Sequence, residues 1–113
     1  MEARATAKFI RMSAQKARLV TDLIRGKSAG EAINILRFTK KRASQEIAKV
    51  LRSAIANAEQ KSENVDVDRL VVSKVYVNEG PRAKRIRPAP MGRAYRYQRR
   101  MSHITLVVED SSE

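Results

Sequence analysis

Apolar and polar positions alternate at the start of the chain, with Ala3, Ala5, Ala7 and Phe9 on one side and Arg4, Thr6 and Lys8 on the other. Period two is the mark of a strand with one buried face. At Ser13 the period lengthens. Ser13 is placed as an N-cap, and Ala17, Val20 and Ile24, with Leu23 beside them, form a helical stripe that stops at Gly26, which predicts a helix from Ala14 to Arg25. Ser28 and Glu31 have the spacing of a capping box, and Ala32, Ile33, Ile35 and Leu36 predict a second, short helix ending near Thr39. A third helix is the most regular: Ile47, Val50, Leu51, Ala54, Ile55 and Ala58 recur at three-four spacing on one face, which marks it as the centre of the core.

After Gln60 the chain turns polar and acidic through Glu63, Asn64, Asp66 and Asp68, a surface loop leading into a strand from Leu70 to Val77. A further apolar strand runs from His103 to Val108, followed by a short acidic tail, Glu109 to Glu113. Between the two strands lies Pro88-Ala89-Pro90-Met91-Gly92. Its prolines fix the backbone and lack N–H donors, and Gly92 tolerates positive φ, so the chain is expected to reverse there. The segment from about 79 to 102 then reads as a long hairpin whose base is closed by the two apolar strands. About eleven residues per arm, at about 3.3 Å of rise each, give a reach of roughly 35 Å.

Charge gives this hairpin its meaning. From Gly80 to Val108 there is no acidic residue, while Arg82, Lys84, Arg85, Arg87, Arg93, Arg96, Arg99 and Arg100 crowd the centre. Such a run repels itself and is best neutralised by a polyanion. Tyr95 and Tyr97 stand two apart among these arginines, a spacing that suits either stacking on unpaired bases or packing across the hairpin. A second basic group, Arg4, Lys8, Arg11, Lys16 and Arg18, has no acid between Glu2 and Asp22 and allows a polyanion surface running from the domain onto the arm. Arg37, Lys40, Lys41 and Arg42 either extend that footprint or ride in solvent. The whole chain agrees: 24 Lys and Arg against 12 Asp and Glu leave +12 on 113 residues, of which 42% are hydrophobic, enough for one modest core.

Enzymatic chemistry finds little footing. Gly26-Lys27-Ser28 resembles the end of a phosphate-binding P-loop, but the required first glycine would fall at Thr21, inside a helical pattern, so a helix C-cap followed by an N-cap explains these residues. His103 has no obvious nucleophile or carboxylate constellation and reads as a structural or RNA-contacting histidine. Asp66 and Asp68 lack the glycine and terminal glutamate of an EF-hand loop, and the chain has no cysteine for disulfides or thiolate metal sites. No cofactor or metal is expected. No apolar run approaches the roughly 20 residues that cross a bilayer, and Met1 to Ala5 lacks the apolar core of a secretory signal, so the expectation is a cytoplasmic protein without a membrane partner.

Beyond composition, Arg11-Met12-Ser13-Ala14-Gln15-Lys16-Ala17-Arg18-Leu19-Val20 and Asp22-Leu23-Ile24-Arg25-Gly26-Lys27 resemble the opening of the bacterial large-subunit ribosomal protein twenty-two family. The likeness continues through Lys49 to Ala54, Ala56-Asn57-Ala58, Glu79-Gly80-Pro81, Lys84-Arg85, Pro88, Gly92-Arg93-Ala94 and Ser102-His103-Ile104-Thr105, covering nearly the whole chain. It implies a single α+β domain over residues 1–113, three helices packed on a small antiparallel sheet, with a long extended basic β-hairpin at about 79–102. It implies no enzyme, but a ribosome-bound monomer that binds large-subunit ribosomal RNA and supports subunit assembly beside neighbouring ribosomal proteins. By the same resemblance Arg82 to Arg87 and Arg93 to Arg100 are RNA-clamped arms. Pro88, Ala89, Pro90, Met91 and Gly92 form a tip on the nascent-peptide exit tunnel, where changes alter macrolide susceptibility. The family more usually has a basic residue, an alanine and another residue before Gly-Arg. Ala89-Pro90-Met91 departs from this and implies a stiff, weakly polar tip.

Charge and hairpin alone also allow a reading from another class, a dimeric architectural DNA-binding protein whose basic arms drive a proline-tipped wedge into the minor groove. A monomer in solution counts against it, and the acidic loop offers no obvious dimer seam.

Overall fold

The computed structural model describes residues 2–61, 66–80, 83–88, 94–99 and 101–110, with backbone alone for 83–88 and 94–99. The chain is α+β. Strand β1 (Glu2–Ile10) is followed by helices α1 (Ala14–Ile24), α2 (Ala29–Phe38) and α3 (Arg42–Lys61), then a short 3-10 turn (Val67–Arg69), strands β2 (Leu70–Glu79), β3 (Ala83–Pro88) and β4 (Ala94–Arg99), and β5 (Ser102–Asp110). β1, β5 and β2 form an antiparallel sheet with β5 in the centre, and β3 pairs with β4 in a separate antiparallel ribbon. The long axis measures 66 Å against 25 and 16 Å.

The helix ends follow their local chemistry. Ser13 Oγ accepts from the Lys16 N–H and Ser28 Oγ from the Glu31 N–H, each at 3.3 Å, and satisfies a donor that the first turn leaves orphaned. Gly26 adopts φ +81°, the left-handed conformation that ends α1, one residue earlier than the stripe predicted. Its N–H donates to Val72 O and the Val72 N–H to Lys27 O, both at 2.9 Å, so the P-loop look-alike is a link between helix caps pinned to β2. Ala17, Val20 and Ile24 of α1, Ala32 and Leu36 of α2, and Ile47, Leu51, Ala54 and Ala58 of α3 are buried against Leu70, Val72, Val75 and Val77 of β2 and Ile104, Leu106 and Val108 of β5. Some residues of the helical stripes differ: Leu23 is exposed and Ile33, Ile35 and Ile55 are half-buried, because each stands at the margin of its helix's buried stripe.

Bulges adjust both outer strands. On β1 the register passes from Ala7↔Ile104 to Ile10↔Ser102, one residue too many, and Phe9 takes φ 59° there. Phe9 therefore leaves the apolar side expected of it and stands 58% exposed. On β2 the extra residue is Ser73, whose Oγ donates to Val107 O, and the shift from Val72↔Val108 to Lys74↔Val107 returns Val75 and Val77 to the core side. β5 is longer than predicted. Glu109 and Asp110 continue it, paired with Val71 and Leu70, because the partner strand offers a ladder to residues that look like a tail in sequence.

Helices also cover both free sheet edges, which exposed would be templates for strand pairing. Arg18 Nη2 donates to Val77 O at 2.9 Å and Arg25 Nη2 to Val75 O at 2.8 Å on the β2 edge. Asn57 Nδ2 donates to Arg4 O at 2.8 Å and Lys61 Nζ to Glu2 O at 2.9 Å on the β1 edge.

Candidate nucleic-acid interface

The hairpin leaves the sheet where Glu79 pairs with Ser102. Its root is tight: the Gly80 N–H donates to Met101 O at 2.8 Å, and a Cβ on Gly80 would lie 3.2 Å from that same oxygen and from the His103 ring. A glycine lets the two arms approach there. Beyond the root, the register sets Ala83 opposite Arg99, Lys84 opposite Gln98, Arg85 opposite Tyr97, Ile86 opposite Arg96, Arg87 opposite Tyr95 and Pro88 opposite Ala94. Opposed residues of an antiparallel pair share a face. Positions 85, 87, 95, 97 and 99 thus share one face by register, with Arg85 opposite Tyr97 and Arg87 opposite Tyr95, and positions 84 and 96 fall on the other. Arg82, Arg93, Arg100 and the expected tip residues Ala89, Pro90, Met91 and Gly92 lie outside the described residues, as do Glu63 and Asn64 of the acidic loop.

The helix-free side of the three-stranded sheet carries basic and aromatic residues of its own. Arg4 lies opposite Val107 and Thr6 opposite Thr105, with Lys74 and Tyr76 on the other flank of the same two residues. Arg4, Lys74 and Tyr76 are exposed, while the flanking strands shelter Thr105 and Val107. Lys74 and Tyr76 are absent from the residues singled out in sequence; only the Ser73 bulge turns them outward beside Arg4. The carboxylates Glu2 and Glu109, paired with each other, sit at the end of the sheet away from the hairpin. At the near end His103 Nδ1 accepts the Phe9 N–H at 3.1 Å, and the two rings meet edge to face with centroids 4.9 Å apart. With Nδ1 engaged, the neutral ring carries its proton on Nε2. The histidine thus holds the β1 bulge against the hairpin root.

The basic residues of the helical layer also meet. Arg11 and Lys16 line a cleft of about 540 Å³ with Lys41 and Arg42, although about 25 residues of chain separate the pairs. Arg18 spends one guanidinium nitrogen on Val77 O, a brace for the sheet edge. At the start of α3, Lys40, Lys41 and Arg42 stand at the positive end of the helix dipole with no acidic residue in the first turn. That placement is unfavourable by itself and is relieved by an anion. No group of three or more metal-ligating side chains occurs among the described residues, and none of their helices is long and apolar enough to cross a membrane.

Comparison with known proteins gives this basic surface a context. The family described as ribosomal protein L22p/L17e matches residues 5–109. The chain is 62% identical over 110 residues to the large ribosomal subunit protein uL22 of Solibacter usitatus, covering 97% of each chain. It is 56% identical over 110 residues to the protein of the same name in Maridesulfovibrio salexigens, covering 97% of this chain and 99% of that one. Neither the family nor these relatives support the dimeric DNA-binding alternative.

Proposed function

Since the chain belongs to the ribosomal protein L22p/L17e family and is a structural constituent of the large ribosomal subunit, we propose that it is held there by large-subunit ribosomal RNA gripped by the basic hairpin. The observation that carries this reading is the acid-free stretch from Gly80 to Val108, within which β3 and β4 pair in a register that sets Arg85 opposite Tyr97 and Arg87 opposite Tyr95. In this reading Arg82, Lys84, Arg85, Arg87, Arg93, Arg96, Arg99 and Arg100 meet phosphates by charge-assisted hydrogen bonds, and Tyr95 and Tyr97 stack on unpaired bases. Arg4, Lys8, Arg11, Lys16 and Arg18 extend the contact over the domain, and His103 serves it at the root.

Residues 1–113 act as one domain with a hairpin at 79–102, a monomer within the ribosome, beside neighbouring large-subunit proteins. Pro88 to Gly92 present a weakly polar tip to the tunnel wall and the nascent peptide. The role is assembly and architecture in the cytoplasm, without catalysis. Fractionation of native lysate on a sucrose gradient tests it. Co-migration with large subunits, weakened by a high-salt wash, is the expected result, and migration with chromosomal DNA would replace it with an architectural role.

A further inference from the structure

A second basic site lies on the helical layer, on residues outside the hairpin. Between α2 and α3 opens a cleft of about 540 Å³ whose charged lining is cationic throughout: Arg37, Lys40, Lys41, Arg42, Lys49 and Arg52. Glu46 stands 3.9 Å from Lys49. The other five have no carboxylate within ion-pair distance among the described residues. Phe38, which in sequence lies between Arg37 and Thr39 of the lining, is 78% exposed, more than Phe9, Leu19, Leu23 or Tyr76. The Arg37 Cζ lies 5.9 Å from the centre of its ring. Leaving a phenylalanine in water gains nothing from the hydrophobic effect, and crowding cations without partners costs self-repulsion. One ligand class relieves both: a charged backbone that carries flat rings.

We propose that this cleft holds an unpaired segment of large-subunit ribosomal RNA, with a base stacked on Phe38 and the adjoining phosphates taken by Lys40, Lys41, Arg42 and Arg52. The site rests on the reading that the chain binds this RNA, and adds to it a contact independent of the hairpin. An acidic peptide would neutralise the lysines and arginines but has no general use for the exposed ring. A duplex keeps its bases stacked inside, so the ring points to an unpaired strand. Arg37 over the ring leaves the opposite ring face for the base and adds its charge to the same spot.

The chain contains no cysteine, so one introduced thiol can carry an iron chelate that cuts RNA within its reach. Full-length Gln45→Cys, in the cleft, and Met91→Cys, in the hairpin, are each assembled onto large-subunit RNA. Cuts from both, at separate places in the RNA, are expected. Cuts from Met91→Cys alone overturn the cleft site and leave the hairpin reading standing; cuts from neither overturn both. Affinity for the same RNA separates ring from charge. Phe38→Ala is expected to weaken binding about fivefold with an unchanged salt slope, and Phe38→Trp to restore it. Lys41→Ala is expected to flatten the slope of log affinity against log salt by about 0.7. Wild-type affinity in Phe38→Ala would remove the stacked base from the proposal. Because Phe38 is largely exposed, its loss leaves the core intact.

Discussion

At the scale of single residues, two glycines four positions apart show how backbone geometry sets the sign of a mutation. Gly26 holds φ +81° with nothing within 4 Å of the place a methyl group would take, so Gly26→Ala meets no clash but strains the backbone. A cost of about 1 kcal/mol is expected. Gly30 also has open space around it but lies within α2, where Gly30→Ala should stabilise by about 0.5 to 1 kcal/mol. Urea denaturation should therefore move the two midpoints in opposite directions, and a shift of the same sign in both would refute the argument. Phe9 makes the complementary point, since an aromatic residue holds the left-handed conformation at a bulge where its ring meets His103 edge to face. Nothing in the alternation of Ala3, Ala5, Ala7 and Phe9 announces that bulge. It arises from the partner strand, which offers two steps where β1 takes three.

At the scale of elements, α3 dominates because one side of it is buried from Ala43 to Ala58 against the other helices and the sheet. Leu51 is fully buried, so Leu51→Ala should cost about 2 to 5 kcal/mol, the lost transfer energy plus the cavity. Leu23, 46% exposed on α1, should lose no more than about 0.5 kcal/mol as Leu23→Ala. Thermal melts of the two variants check the contrast, and similar losses would mean that α1 packs differently. Both residues are leucines on helical stripes, so composition does not separate them. Their angular place in the stripe does, and it becomes decisive once α1 has settled between β2 and the other helices. The same packing brings Arg18 and Arg25 to one sheet edge and Asn57 and Lys61 to the other. Of these four only Arg18 is singled out in sequence, as part of a basic group, and none of the braces is legible there, because their carbonyl partners lie 50 or more positions away.

At the scale of the whole molecule, a charge of +12 along a 66 Å body makes association with RNA strongly salt-dependent. Arg85→Ala should flatten the slope of log affinity against log salt by about 0.7 to 0.9 and lower incorporation into subunits, whereas Met91→Ala should leave both near wild type. Equal assembly defects from the two would abolish the division between clamped arms and a tip facing the tunnel. The sequence by itself determined the three helices, the apolar strands, the closure of the hairpin and the polyanion partner. Those follow from local periodicity, from caps such as Ser13, Ser28 and Gly26, and from a charge imbalance that no fold can hide. Only the tertiary structure decided where the bulges at Phe9 and Ser73 fall, that Lys74 and Tyr76 share a face with Arg4, and that Arg11 and Lys16 meet Lys41 and Arg42. Strand register and helix packing are settled between segments distant in the chain, so the surfaces they create are not written in either segment alone.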